Sequence, residues 1–223
     1  MTRPSMRPAR LGLLLWLAFA SGCANDPLAP DVSEDGLVRA PSSRNGAVYR
    51  APGTSFVQYR RILLEPLGVS FERNWEREHP EVSPSDIDRI RRQAAELFRD
   101  EFTRELVARG TYTLAEAPGP DVLTVTPKIV DMDISAPQAG RQPGMRSYVV
   151  TEGEMTLVAE IHDSRSGALI GRIIDRQRAA RNGFSQLQLS NPVTNSHEAR
   201  IAFQHWSRLL REALDVAKVE KPR

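Results

Sequence analysis

A single cysteine, Cys23, serves the whole 223-residue chain, so no internal disulfide can form. The fold must hold without covalent staples. A membrane-crossing helix needs ~20 consecutive apolar residues, and the apolar run Leu11 to Ala20 offers about half of that. Histidine is scarce. His79, His162, His197 and His205 form no H-E-x-x-H pair, and His197 and His205 stand too far apart on a helix to share a metal. All four read as solvent-exposed. No phosphate-cradling G-x-x-x-x-G-K occurs, and the string nearest to G-x-S-x-G, "GFSQL" around Ser185, lacks the second glycine. Basic excess is also missing. The formal charge is +2, from 30 basic and 28 acidic residues. Three of the arginines, Arg3, Arg7 and Arg10, lie ahead of the apolar run with no acid among them, so without residues 1–22 the count is 27 against 28, or −1. A nucleic-acid partner is not expected from that balance.

What is present begins at those arginines. A basic stretch, a short apolar core and the small residues Ala20-Ser21-Gly22 make an export signal. Followed directly by Cys23, the segment resembles a bacterial lipobox. That resemblance implies cleavage before Cys23, acylation of its sulfur and of the new amino terminus, and a lipid anchor as the membrane contact. Two or more acyl chains, at ~0.8 kcal/mol per buried methylene, give stable attachment. Sorted lipoproteins held at the inner membrane carry Asp after the cysteine. Here Ala24 stands in that place, which implies the outer membrane, facing the periplasm.

Residues 23–55 are rich in Pro, Ser, Gly, Asp and Arg and read as a lipidated flexible tether, spanning ~30 Å on average and at most ~110 Å; the alternative is that part of it packs as an irregular arm, with Val48-Tyr49 docking. The folded body is expected over 56–217, with 218–223 a disordered tail. A β-rich run at Tyr59 to Leu64 stops at Pro66. Ser83, Pro84 and Asp86 form a capping box ahead of a helix whose Ile87, Ile90, Ala94, Leu97, Phe98, Phe102 and Leu106 recur at spacings of three and four. Gly110 is placed to end it in a left-handed cap. Leu123, Val125 and Ile129 alternate along a strand in which Pro127 calls for an edge or a bulge. Met155, Leu157, Ala159 and Ile161 share one face of a central strand; Asp163 to Gly167 turns the chain, and Leu169 to Ile174 returns. A last helix carries Ala202, Phe203, Trp206, Leu209, Leu210, Ala213 and Leu214 as its stripe. The expected fold is α+β: an antiparallel or mixed sheet of about four to five strands with two amphipathic helices packed on one face.

Carboxylates supply the chemistry worth weighing. Asp131 and Asp133 lie two apart on a strand, as do Glu152 and Glu154, so each pair is expected on one face. A hydrolase working through paired acids would bring them together in a concave pocket; ordinary acidic pairs simply face water. Arg89, Arg91 and Arg92, and Arg176, Arg178 and Arg181, are either a patch for an anionic partner or surface charge balanced by Asp88, Glu96 and Asp100. Trp75 stands in the charged stretch "SFERNWEREHP" and either covers a core edge or is exposed for contact.

The segments "YRRILLEPLGVSF", "LVARGTYTLAEAPGPDVLTVTPKIVDMD" and "DSRSGALIG", with the closing Trp-containing helix, resemble the bacterial lipoprotein family catalogued as domain of unknown function 3313. The resemblance implies an envelope lipoprotein and carries over no functional residue except Cys23. Together these readings lead to a non-enzymatic lipoprotein without cofactor or metal. Its body is expected to bind or assemble with another envelope protein or with itself. An envelope hydrolase and a carrier of a small apolar ligand, the latter needing a cavity between sheet and helices, are the alternatives.

Overall fold

The computed structural model describes residues 30–41, 46–80, 82–133, 154–178 and 192–219; the side chains of Glu154, Arg178 and residues 192–198 are outside that description. Strands β1 (Val38–Ala40), β2 (Ala47–Arg50), β3 (Arg61–Leu64) and β4 (Gly68–Phe71) come first. The short helix α1 (Trp75–Glu78) and the long helix α2 (Pro84–Thr103) follow, and α2 runs on into a π-helical turn at Arg104–Ala108. Strands β5 (Thr113–Leu114), β6 (Val122–Met132), β7 (Glu154–Asp163) and β8 (Leu169–Arg178) precede the closing helix α3 (Pro192–Val219).

All eight strands form one mixed sheet in the order β1-β2-β8-β7-β6-β3-β5, with β4 also on β6. The spine β6-β7-β8 is antiparallel, with Ile129 opposite Leu157 and Ala159 opposite Ile173. Alternation sorts the side chains. Met155, Leu157, Ala159, Ile161 and Ile173 are buried and merge into one core with Phe98, Phe102, Leu106, Phe203, Trp206, Leu210 and Leu214 of the helices. Both long helices therefore pack on the same side of the sheet, as expected. The opposite face is mostly polar and carries Glu160, His162 and Arg172, with one small cluster of Leu37, Ala47 and Tyr49 against Ile174.

The α+β class and the mixed sheet hold; the strand number is larger than the expected four to five. Two of the added strands come from the supposed tether. β1 pairs with β2, and β2 with β8 through Val48 opposite Ile173. The expectation of a free tether over 23–55 is thereby corrected. Val48 reaches the main core and Tyr49 donates to the Pro30 carbonyl at 3.0 Å, so a few well-placed apolar residues in a polar stretch are enough to add an edge. The other two, β4 and β5, are short strands beside β6 and β3.

Helix α2 starts as its sequence dictates. The Ser83 side chain accepts from the Asp86 amide at 3.2 Å and the Asp86 carboxylate accepts from the Ser83 amide at 3.4 Å. It ends differently from expectation: the positive-φ glycines described are Gly36, Gly53 and Gly167, not Gly110. Gly110 is needed because a Cβ there would come 2.3 Å from the Leu106 carbonyl oxygen. Pro127 is likewise not at an edge, since β6 has partners on both sides. Val125 accepts from the Glu65 amide on the β3 side, so Pro127, two residues on, turns its missing donor to that same side. There β3 has ended at Leu64 and β4 has not begun until Gly68, so no ladder bond is lost.

Candidate functional site

The most enclosed charge in the described structure is Asp175 on β8, 1% exposed and on the same face as Ile173. Its Oδ2 accepts from Trp206 Nε1 at 2.8 Å and from Gln177 Nε2 at 2.5 Å. His205 Nε2 stands 3.4 Å from the same oxygen, too long for a good hydrogen bond but within ionic reach. Burial pushes the Asp175 carboxyl up, yet His205, Gln177 and Trp206 together outweigh it and hold the group below its ordinary value. Oδ1 has no hydrogen-bond partner and faces Gly46, where a Cβ would approach it to 3.1 Å and Leu209 Cδ2 to 2.7 Å. A carboxylate beside an imidazole is a pair that moves protons in many active sites. Here Trp206, Leu209 and the glycine backbone close over it. The geometry makes Asp175 the pin that holds α3 on β8.

A second ionic feature joins the helices. Glu101 is buried between Arg104 of its own chain turn and Arg200 of α3, each with a guanidinium nitrogen 2.5 Å from a carboxylate oxygen. Glu105, on the π turn, accepts from Arg211 Nε at 3.0 Å and Arg109 Nη1 at 3.2 Å. Burial raises the Glu105 carboxyl, and its two arginines bring it net below the ordinary range. One extra residue in the turn is a common device for re-aiming a side chain. Glu105 is the side chain displayed there.

At the end of the sheet where β7 turns into β8, Asp163 collects donors: Ser166 N at 2.8 Å, Ser166 Oγ at 2.7 Å, and the Tyr59 hydroxyl at 2.9 Å. The Tyr59 hydroxyl is pushed up to about 12 by burial and by the Asp163 charge. Ser164 clasps Gly119, accepting from its amide at 3.0 Å and donating to its carbonyl at 2.9 Å. Arg61 holds Asp121 through two parallel bonds of 3.0 and 2.6 Å. These contacts tie the loop before β6 to the hairpin turn.

Between the β1–β2 edge and the C-terminal half of α3 lies a groove of about 50 Å³, whose lining includes Ala40, Val48, Leu209, Ala213 and Val216, with Arg50 and Glu212. Ligand pockets for small molecules usually measure about 300–1,000 Å³. The groove is far short of what a carrier of an apolar ligand needs.

Only some of the residues singled out from sequence lie among the described residues. Asp131 is exposed and has a left-handed φ of 52°, which breaks the pleat, so its two-residue spacing from Asp133 no longer gives a common face. Glu154 opens β7, and Glu152 lies outside the described residues. Cys23, Ser185 and Arg181 also lie outside them, as do the side chains of His197 and Arg178. Trp75 is 2% exposed, stacked on Phe71 at 4.5 Å and against His79 at 4.6 Å, so it covers the core edge. The expectation of exposed histidines is corrected for three of the four: His79, His162 and His205 are all half-buried. On α2, Arg89 pairs with the buried Asp86 at 2.7 Å and Arg91 with the exposed Asp88 at 3.5 Å, so both arginines have an acidic neighbour on their own helix. No group of three metal-ligating side chains occurs among the described residues.

A one-sheet α+β body with two helices on one face is the class that this geometry defines. The chain belongs to the family described as protein of unknown function (DUF3313), whose model matches residues 28–210. No curated protein matches its sequence. Among solved structures it is similar to the PelC dodecamer from Paraburkholderia phytofirmans, at 11% identity over 74% of this chain and 97% of that one, TM-score 0.41. It is also similar to a minor lipoprotein from Acinetobacter baumannii, at 12% identity over 71% and 94%, TM-score 0.33. A homolog of a putative neuraminyllactose-binding hemagglutinin from Helicobacter pylori matches at 12% identity over 76% and 92%, TM-score 0.34.

Proposed function

We propose that this is an outer-membrane lipoprotein, anchored by acyl chains on Cys23, whose periplasmic body binds or assembles with another envelope component. One observation carries the reading: the sole sulfhydryl of the chain follows directly on a basic, apolar and small-residue leader. The body adds consistent support. Four of its carboxylates tie elements together: Asp175 on α3, Glu101 and Glu105 on their arginines, Asp163 on its turn. Among the described residues, no helix is long and apolar enough to cross a membrane.

Labelled palmitate, fed to cells expressing the full chain, is expected to be incorporated into the protein and lost on Cys23→Ala. Density fractionation is expected to find the protein with outer membranes, and Ala24→Asp to move it to the inner. Crosslinking in intact envelopes is then expected to yield a discrete adduct. Absence of label in the unaltered chain ends the anchor reading; label without any adduct ends the assembly reading.

A further inference from the structure

The anchor and the folded body are separated by very little chain. The described structure begins at Pro30, seven residues beyond Cys23, and seven extended residues reach at most ~25 Å. Asp31 and Val32 are already tied to β1: the Arg39 amide donates to the Asp31 carbonyl at 2.8 Å, and Val32 bridges Val38. The part of the surface closest to a bilayer gripping Cys23 is therefore the β1 edge.

That edge carries exposed aliphatic side chains. Val48 and Arg50 lie on the helix side of the sheet, as their pairing places Val48 opposite the buried Ile173. Register puts Val38 and Ala40, their partners across β1–β2, on that side too, and Val32 with Val38. Val216 of α3 lines the groove with Ala40 and Val48, and Val219 continues the helix stripe one turn further. Val32 is 56% exposed, Val38 44%, Val216 45% and Val219 82%. Val216 thus lines one shallow groove and Val38 borders it through its partner Arg50, with Val32 beside Val38 and Val219 one turn beyond Val216.

We propose that this strip, Val32, Val38, Val216 and Val219 around the groove, rests on the surface of the bilayer that holds the lipid anchor. The inference rests on Cys23 being the anchor. A few valines would not hold a free protein to a membrane. Tied by a short leash, the same patch meets the lipid at high effective concentration, so a weak apolar contact is enough to orient the body. The opposite sheet edge, at β5, then points toward the periplasm.

The test uses the lipidated full-length product, in which acylation of Cys23 leaves any introduced cysteine as the one free thiol. An environment-sensitive fluorophore is placed through Val38→Cys or Val216→Cys, with Leu114→Cys on β5 as reference. The proteins are incorporated in vesicles of phosphatidylethanolamine with about a quarter phosphatidylglycerol. Quenching by nitroxide-bearing lipid is expected to be at least about twofold stronger at positions 38 and 216 than at 114, because an interfacial patch sits within the headgroup region. If the protein fails to float with the vesicles, the anchor reading and this proposal fall together. If it floats but all three probes are quenched alike, the anchor stands and the strip does not face lipid. Probes at 38 and 216 shielded from aqueous iodide yet untouched by lipid nitroxide mean that a second copy covers the strip, which also overturns the proposal.

Discussion

Trp206 Nε1 donates a 2.8 Å hydrogen bond to Asp175 Oδ2, joining the most buried indole of the core to its most buried carboxylate. The bond crosses from α3 to β8, so it fixes the helix in one register on the sheet. Trp206→Phe keeps most of the apolar volume and removes the donor. Loss of a bond to a buried charged group costs about 1–3 kcal/mol. A fall of that size in urea unfolding free energy is expected, and an unchanged midpoint would show the bond to be energetically idle.

The same carboxyl makes stability depend on acid. Its folded value lies below the unfolded one, so the stabilisation is fully present above about pH 4 and is lost as pH falls through the folded value. Asp163, Asp121 and Glu105 are lowered too and add to the acid limb. The specific expectation is a difference. Unfolding free energy of the unaltered protein minus that of Asp175→Asn shrinks steadily as pH is taken below 4, whereas parallel curves would assign the acid limb to the other groups.

At the alkaline end the sign reverses. Tyr59 is raised to about 12, with Asp163 beside its hydroxyl, so its contribution is fully present below about pH 10 and is lost as pH rises through 12. Tyr112 is raised as well, by burial. Tyrosinate absorbance is expected to appear in at least two steps. The late step is smaller in Tyr59→Phe, measured before the protein unfolds.

Gly46 and Gly110 separate two kinds of crowding. A methyl at Gly46 meets the end of the Leu209 side chain, which can swing aside, while one at Gly110 meets the Leu106 backbone at 2.3 Å. Overpacking costs about 1–3 kcal/mol where neighbours adjust. Gly46→Ala is expected within that range and to be partly relieved by Leu209→Ala. Gly110→Ala is expected to cost more and to find no side-chain rescue. Thermal unfolding of the unaltered protein, Gly46→Ala, Leu209→Ala, their double variant and Gly110→Ala checks both halves.

Glu105 and Arg211 join the π turn to α3 at 3.0 Å. Arg211 is a quarter exposed, which screens the pair, so a double-mutant cycle is expected to return about 1 kcal/mol of coupling. A value near zero would reduce the pair to surface decoration.

Periodicity made the spine of the fold readable. The capping box at Ser83, the stripe from Ile87 to Leu106, the turn at Asp163 and the stripe around Trp206 all appear where their spacing put them. What spacing could not show was anything settled by distant partners. β1 and β2 exist because Val48 lands opposite Ile173; in "APSSRNGAVYR" Val48-Tyr49 marks a point that could dock, but nothing local says that it docks as a strand. In "LIGRIIDRQR" both Ile173 and Ile174 are apolar, so the inward parity of Asp175 was hidden until β7 fixed it. The Asp131 and Asp133 pairing failed for the reverse reason, because a regular strand was assumed where the backbone turns left-handed.

The residues from Asp31 to Leu37 double back along the outside of β1: Arg39 and Ser33 amides reach the Asp31 and Leu37 carbonyls, and Val32 faces Val38. An open strand flank is what lets neighbouring copies zip together into fibres. By laying the stretch before β1 along that flank, the chain leaves little raw template there for runaway stacking between copies.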